Sequence, residues 1–465
     1  MNYKQMTIAV ALAFGSAATG AAYAADSAEV QALKQQMEAM QKQMAAMQEQ
    51  LKALASQPQP APAPPAAGAS GSALSAKIGG ASVALYGFAD LSADAGNDGK
   101  HSVKQVSSNL SYVGVRGSRP LGNSGMKAIF QVETLANISG TPTETGGLAS
   151  RNSFVGLEGG FGKIMLGKSD TPYKRATAAM DPFASSVGDY NSIMGNTGGD
   201  LRAEFDARLP HAIFYDSSKW QGLSVNAMYS PGQKFANLAN SDKYAFAQGE
   251  KICAGATPGS SGSLPDPGST LCNDGAFTNA YSVAVNYESG PLNATLAYER
   301  HQAVDRTSDN GGVTANESAA KLGLSYHFGG NRLSAMYEKF YRNGGVNPTL
   351  NERARNGYYL SDVQELGNDT DLMAAWAHAG KTPGGPDFMT ADDKANMYAL
   401  GVKYHYDKQF ALYLVGAMLK QGAGAHYALG AGGHGTAIAS PRNDAGDNIP
   451  GQSIKALSAG MQYAF

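Results

Sequence analysis

The sequence predicts an all-β protein, a 16-stranded antiparallel transmembrane β-barrel that follows an N-terminal α-helical coiled coil. From residue 81 onward, short segments alternate apolar and polar residues with a period of two, as strands with one apolar face do. Tight turns and long polar loops join these segments in near-strict alternation. Beyond the N-terminus, no apolar run reaches the roughly 18 residues that a membrane helix needs. An apolar face without a second sheet to cover it is expected to meet lipid, which indicates a barrel.

Residues 1–24 have the features of a secretory signal peptide. Lys4 precedes an apolar run at residues 6–14, and Ala22-Tyr23-Ala24 forms an A-x-A cleavage site. The chain is therefore expected to be exported. Its two cysteines, Cys253 and Cys272, lie in one polar loop, and in an exported protein this favours a disulfide between them. Two free thiols are the alternative.

Residues 25–57 are predicted to form a coiled-coil helix. Apolar residues recur there with 3-4-3-4 spacing, and the other positions carry Gln, Lys, Glu and Ala. The apolar positions are Val30, Leu33, Met37, Met40, Met44, Met47, Leu51 and Leu54. A single amphipathic helix packed on its own domain is the alternative. Residues 58–80, rich in Pro, Ala and Gly, are predicted to be a linker to the barrel domain, residues 81–465.

Sixteen strands follow from alternation and turn signals. They are predicted at residues 82–91, 110–118, 126–134, 151–158, 163–168, 208–216, 223–230, 281–288, 292–301, 320–328, 332–341, 357–365, 372–378, 396–406, 410–420 and 454–465. The boundaries in residues 357–378 are the least well defined. Connections after odd-numbered strands are long and those after even-numbered strands are short, so both ends of the barrel domain are expected on one side of the membrane.

Composition excludes several classes of function. The formal net charge is −2, which does not suggest a nucleic-acid binder. The eight histidines are scattered without an H-E-x-x-H pair, and the cysteines lack metal-ligand spacing, so we expect no metal and no cofactor. The chain has neither a G-x-S-x-G elbow nor a phosphate-binding glycine loop. No catalytic residue is therefore predicted, and the protein is not expected to be an enzyme.

A set of short motifs resembles the general, trimeric porins of Gram-negative outer membranes, in particular the β-proteobacterial and neisserial type. In chain order the motifs are LYGFADLS at 85–92, SYVGVRGSRPLG at 111–122, MKAIFQVET at 126–134, RNSFVGLEGGFGKIMLGK at 151–168, DPFAS at 181–185, IFYDSS at 213–218 and the terminal Phe465. The resemblance implies a homotrimer of barrels in the outer membrane, in contact with lipid and lipopolysaccharide. It also implies a third loop folded inward to narrow the pore.

The N-terminal coiled coil departs from this family pattern. It resembles the periplasmic extensions of some substrate-preferring porins, and peptidoglycan is a candidate partner.

Strand parity assigns charged residues to the pore, because a charge on the lipid face costs a few kcal/mol near the midplane. The predicted pore-lining basic residues are Arg116, Lys127, Arg151, Lys168, Arg208, Lys321, Arg332 and Lys403, and the acidic ones are Asp90 and Glu133. Two of these, Arg151 and Lys168, match pore-lining basic positions of the family. Simple alternation nevertheless places both on the outer face. Either the parity shifts near the strand ends, or these two residues lie at the rim.

The long segment 169–207 is the candidate constriction loop. Its predicted acidic residues, Asp181, Asp189, Glu204 and Asp206, are expected to face the basic wall and to create a transverse field. A solvated extracellular loop is the alternative. Basic wall residues outnumber inner acids, which indicates a modest anion preference.

The sequence thus predicts an outer-membrane porin, a water-filled channel for passive diffusion of small hydrophilic solutes and ions. One alternative is a porin that prefers small organic anions such as carboxylates. Another is a barrel that anchors an adhesin or an enzyme.

Overall fold

A computed structural model describes residues 74–140, 147–195, 205–231, 279–305, 314–343, 354–382, 392–435, 437–439, 441 and 449–465. The predicted signal peptide, the coiled coil, most of the linker, Glu204 and both cysteines lie outside these residues. Within them, no helix is long and apolar enough to cross a lipid bilayer.

Eighteen β-strands and one short helix are present in these ranges. The strands are β1 (Leu74–Ile78), β2 (Ala81–Asn97), β3 (Ser102–Ser108), β4 (Tyr112–Pro120), β5 (Lys127–Leu135), β6 (Ser153–Gly159), β7 (Gly162–Asp170), β8 (Arg208–Asp216), β9 (Leu223–Ser230), β10 (Asn279–Ser289), β11 (Leu292–Asp305), β12 (Thr314–Phe328), β13 (Asn331–Asn343), β14 (Asn356–Leu366), β15 (Thr370–Ala379), β16 (Ala395–His405), β17 (Phe410–Gln421) and β18 (Ile454–Ala464). The helix, α1, spans Pro172–Thr177.

The strands form one closed antiparallel sheet. β2 pairs with β4, each strand from β4 onward pairs with the next, and β18 returns to β2 with Ala464 opposite Phe88. This ring contains sixteen of the strands, so the predicted 16-stranded antiparallel barrel is confirmed. β1 and β3 are additions to the ring, and both pair with the long strand β2.

The second barrel strand is interrupted, which the sequence analysis did not predict. β3 and β4 pair with successive halves of β2, and residues 109–111 between them leave the ladder. Leu110 has a φ of 49° there, a left-handed conformation that few non-glycine residues adopt. The predicted long loop after the first strand is instead a tight hairpin. The Asp98 carboxylate stabilises its turn by accepting hydrogen bonds from the backbone N–H groups of Lys100 (2.8 Å) and His101 (2.7 Å).

The outer face of the barrel is apolar and exposed. Leu400 is 68% exposed and Leu296 is 60% exposed, while their inward-pointing sequence neighbours Ala399 and Ala297 are buried. Other outward apolar side chains with large exposure are Val113, Val155, Leu166, Ile213, Leu324, Leu360, Leu414 and Leu457. Such a continuous apolar surface is unfavourable in water and suits the hydrocarbon of a bilayer. This is the surface that the sequence analysis predicts to meet lipid.

The barrel closes where the two ends of the barrel domain meet. Phe465 and Gly87 exchange two backbone hydrogen bonds of 2.9 and 3.1 Å. Beyond Phe465 the edge of β2 continues, and β1 pairs with it from Leu74 opposite Leu85 to Ile78 opposite Ala81. Pairing with the barrel thus begins at residue 74, inside the segment 58–80 that the sequence analysis assigned to the linker.

Replacing Gly87 by valine is expected to destabilise this seam. A Cβ atom at position 87 would collide with the ring of Phe465, which packs flat on the glycine. Overpacking of this kind costs about 1–3 kcal/mol. Thermal unfolding of the protein in detergent should therefore begin at a lower temperature. Gly160→Val is the matched control, because a Cβ atom there meets nothing within 4 Å. Equal stability of the two variants would contradict the prediction.

Candidate functional site

The described parts of the third loop, residues 171–195 and 205–207, lie inside the barrel. The Thr171 hydroxyl caps α1 by accepting from Lys174 N (3.3 Å), and the Tyr173 N–H donates to Ser282 Oγ (3.0 Å) on the inner wall. Further along the loop, Phe183 and Tyr190 are buried in one apolar cluster with residues of β14, β15 and β16. The described part of the loop is therefore folded inward, as the family resemblance implies, and is not a solvated outer loop.

A buried ionic cluster holds this loop against the wall. Lys321 Nζ, on β12, lies 2.5 Å from Asp206 Oδ1, 3.9 Å from Glu338 Oε2 and 4.1 Å from the ring centroid of Tyr173. Lys321 is only 1% exposed, so the prediction that it lines the pore is wrong. The loop covers it, and its charge is compensated by carboxylates. Burial raises the pKa of Asp206 to about 6, although the Lys321 ammonium acts in the opposite direction.

The acidic residues in the described part of the loop are buried as well. Asp181, Asp189 and Asp206 are each 3% exposed, which corrects the expectation that they face the basic wall across water. Asp181 accepts from Tyr190 N (3.0 Å) and Tyr359 OH (2.8 Å), and Asp189 caps the turn at Asn191 N (2.8 Å). Burial, followed by the charge of Asp189, raises the pKa of Asp181. These carboxylates satisfy backbone N–H groups of tight turns, a structural role that their sequence spacing does not reveal.

Among the described residues of the loop, basic side chains lie at its exposed edge. Lys174 and Arg175 keep 25% and 32% of their side chains exposed. Arg175 binds Asp216 through two hydrogen bonds of 2.9 and 2.7 Å, and Lys174 Nζ lies 3.2 Å from Asp170 Oδ1. The sequence analysis did not select these two residues. In the sequence they are only an adjacent pair of basic residues. The structure places them in α1, which has no acidic residue in its first turn.

Three predicted basic residues lie on the inner wall, and Arg208 shares Asp170 with Lys174 of this edge. Arg208 Nη2 lies 3.0 Å from Asp170 Oδ1, and Arg151 Nε lies 2.6 Å from Glu133 Oε1. The Arg116 guanidinium is exposed and lies 4.8 Å from the ring centroid of Tyr86. We call Arg116, Arg151, Lys174, Arg175 and Arg208 the basic sector. In the described part of the chain, the carboxylates of Glu133, Asp170 and Asp216 contact it, so its five basic groups exceed these three acids and give it a net positive charge.

The two residues of ambiguous parity behave differently. Arg151 precedes the start of β6 by two residues, and it turns to the inner face, with its guanidinium 4.6 Å from the ring centroid of Tyr112. Lys168 lies within β7, opposite Ser153 and two residues after the outward-pointing Leu166. At Lys168 the pairing of β7 with β8 shifts register, between Gly167 and Ser169, so simple alternation is interrupted at both positions.

The remaining basic residues lie near the short-turn end of the barrel. Lys127 directly follows the turn at 121–126, with its Nζ 3.9 Å from Glu158 Oε1. Arg332 follows the turn at 329–330 by one residue, and Lys403 is paired with Asp371 across the ladder near the turn at 406–409.

The two predicted acidic wall residues lie on the inner face but are buried. Asp90 is 2% exposed and accepts from Tyr413 OH (2.8 Å) and Gln462 Nε2 (2.7 Å). Glu133 is 5% exposed and accepts from Tyr86 OH (3.0 Å) in addition to Arg151. Their charges therefore act on the lumen through hydrogen-bonded neighbours, not by direct contact with water.

A second inward-folded segment was not predicted. Residues 429–435 of the last loop, which connects β17 to β18, reach the inner face of β2 and contact the third loop, where Gly430 N donates to Ser192 Oγ (3.0 Å). In the sequence this segment is a glycine-rich stretch at 430–435, which is typical of an ordinary loop. Only the tertiary contacts show that it folds inward.

Among the described residues, no group of three or more His, Cys, Asp or Glu side chains is arranged to hold a metal ion. The inner wall of the barrel instead carries fixed charges and aromatic rings.

Comparisons with known proteins agree with this geometry. The sequence profile of the Gram-negative porin family matches residues 63–424. Outer membrane porin protein 32 of Delftia acidovorans is 26% identical over 84% of this chain and 97% of its own length. Major outer membrane protein P.IB of Neisseria meningitidis serogroup A is 28% identical over 65% of this chain and 89% of its own length.

Solved structures show the same fold. The anion-selective porin from Comamonas acidovorans superposes with a TM-score of 0.62 at 21% identity, covering 83% of this chain and all of that one. In-vitro folded OmpT of Vibrio cholerae, in its trimer form, gives a TM-score of 0.52 at 15% identity, covering 83% and 99%.

Proposed function

Because this chain belongs to the Gram-negative porin family, we propose that its outer-membrane channel passes small anions in preference to cations. The observation that carries this proposal is the basic sector. Five basic groups lie on the inner wall and at the edge of the third loop, whereas the described carboxylates of that loop are buried. Fixed charges along a narrow aqueous path attract ions of opposite sign and repel those of like sign. The similarity in fold to an anion-selective porin supports the same direction.

Reversal potentials of the purified protein in planar bilayers test this proposal. Under a tenfold KCl gradient we expect the sign that corresponds to chloride permeation. Because the Debye length falls from about 10 Å at 0.1 M to about 3 Å at 1 M salt, the preference should weaken as both salt concentrations are raised. A reversal potential of the opposite sign would reject the anion preference.

A second candidate, preference for small carboxylates, is favoured by the guanidinium groups themselves. Planar guanidinium groups bind carboxylates bidentately, which chloride does not reproduce. Arg116 keeps its exposed guanidinium fixed over Tyr86, in position to receive such a ligand. Micromolar succinate should then block part of the chloride current, and equal concentrations of sulfate serve as the control. Absence of block leaves the simple anion-preferring pore.

The proposal also covers the oligomeric state of the protein and its partners. We propose a homotrimer, as in the trimer form of OmpT, with barrels in contact with lipid and lipopolysaccharide. The signal peptide 1–24, the coiled coil 25–57, its contact with peptidoglycan and the Cys253–Cys272 disulfide remain predictions from the sequence. We propose no catalytic or adhesive role.

A further inference from the structure

The tip of the last loop, residues 429–435, is seated on the inner wall by specific contacts. Leu429 and Ile438 exchange two backbone hydrogen bonds of 3.1 and 3.0 Å, which close a narrow hairpin at its base. His434 Nε2 lies 3.3 Å from Asp94 Oδ1 and 3.4 Å from Ser92 Oγ, on the inner face of β2. The tip is therefore inside the barrel and is fixed there by polar contacts.

The break in the second barrel strand receives this tip. Asn109, at the break, is completely buried, and its Oδ1 accepts from Gly435 N (3.0 Å). Its Nδ2 donates to Ser92 Oγ (3.0 Å) and lies 3.2 Å from Asp90 Oδ1. A Cβ atom on Gly435 would lie 2.5 Å from the carbonyl oxygen of Ser108. The unusual backbone at 109–111 thus provides a polar seat into which only a glycine fits at position 435.

The opposite side of the tip presses on the third loop. Gly430 N donates to Ser192 Oγ (3.0 Å), and a Cβ atom on Gly432 would collide with the Asp189 carboxylate. The tip consequently fills the gap between the third loop and the wall formed by β2 and β3. Two carboxylates lie directly beneath it, those of Asp94 and Asp189, and both are at most 5% exposed.

We propose that the tip of the last loop is a selectivity element that withdraws Asp94 and Asp189 from the solute path. Asp94 points inward from the wall, where it accepts from Ser107 Oγ and Ser458 Oγ (2.6 Å each), and His434 lies on its lumen side. Without the tip, these two carboxylates would face the lumen and would offset part of the positive charge of the basic sector. Removal of the tip would also open a second route along β2 and β3. This inference deepens the proposed anion preference and rests on it.

Undocking the tip tests this role. Gly435→Val introduces a side chain that cannot fit against the backbone of Ser108. We expect a larger single-channel conductance and a fall of roughly twofold or more in the chloride-to-potassium permeability ratio, from uncovering charges within about a Debye length of the path. Gly147→Val, in another loop of the long-loop end, is the matched control because a Cβ atom there meets nothing within 4 Å.

A second pair of variants keeps the test decisive if valine at 435 prevents folding. His434→Ala uncovers Asp94 without adding bulk, and the fall in anion preference should be reversed in His434→Ala/Asp94→Asn. If the tip had only a structural role, His434→Ala and His434→Ala/Asp94→Asn would both be less stable than wild type. Asp94→Asn would then not restore the anion preference. Wild-type conductance and selectivity in His434→Ala, or a loss of selectivity that Asp94→Asn does not restore, would overturn the inference. A wild-type channel without anion preference would reject the proposed function, whereas the shift between variants would still measure the effect of the tip.

Discussion

Lys321→Met is expected to loosen the third loop and to destabilise the protein by about 3–5 kcal/mol, the usual cost of removing one partner of a buried ion pair. The lysine ammonium lies between Asp206 and Glu338, and all three side chains are fully buried. Without it, two carboxylates would remain in a site with little water. The loop is then expected to leave the wall in order to hydrate Asp206.

Thermal unfolding in detergent and single-channel recordings would measure the two consequences. We expect a lower midpoint of unfolding and increased noise in the open-channel current, since the loop borders the path of the ions. The control is Lys163→Met, because Lys163 is 48% exposed and forms a surface ion pair with Glu158. Exposed pairs of this kind contribute about 0–1 kcal/mol.

A double variant separates charge from packing. In Lys321→Met/Asp206→Asn the buried carboxylate is removed too, and asparagine tolerates the left-handed backbone of position 206, where φ is 61°. We expect this variant to regain more than half of the lost stability. A single variant as stable as wild type, or a double variant less stable than the single one, would show that the cluster does not hold the loop.

Neutralising the wall arginines is expected to have the largest effect on selectivity. In Arg116→Gln/Arg151→Gln/Arg208→Gln, two basic groups of the basic sector remain against three carboxylates, so the sign of its net charge reverses. A charge about 10 Å from a permeating ion contributes on the order of 1 kcal/mol at an effective dielectric constant near 20. We therefore expect the chloride-to-potassium permeability ratio to fall at least about tenfold and the channel to favour cations.

Reversal potentials at 0.1 M salt would show this inversion, and the control is Lys219→Gln in the short turn at 217–222. Lys219 is half exposed and pairs with Glu288 outside the lumen. Its removal should leave the permeability ratio unchanged. An unaltered preference in the triple variant would mean that the basic sector does not act on the ions, and the anion preference would need another source.

The N-terminal half of the barrel shows which strands can be predicted from the alternation of apolar and polar residues alone. The predicted strands at 208–216 and 223–230 coincide with β8 and β9, because period-two apolar patterns and turn residues act locally. The break at 109–111 escaped prediction because Asn109 is held by residues of β2, β17 and the last loop. Arg151 reaches the inner face through a bend ahead of β6, which alternation cannot anticipate.

The charged residues of the lumen show more strongly that alternation does not predict tertiary contacts. Parity correctly placed Lys321 on the inner side of β12, yet it gave no sign that the third loop would cover it. The Lys321–Asp206 pair joins residues 115 positions apart, and Tyr359 meets Asp181 across 178 positions. Contacts of this kind leave no local pattern in the sequence.

The sequence by itself determined that this protein is a transmembrane β-barrel with apolar side chains outside and polar groups inside, since the bilayer imposes its requirement on every second residue of each strand. Only the tertiary structure decided which of the inner charges meet water. Two loops fold back onto the wall and bury the carboxylates of Asp94, Asp181, Asp189 and Asp206, because each finds donors there that replace its hydration. The basic sector remains beside the edge of the third loop, and its excess of positive charge is therefore a property of packing, not of composition.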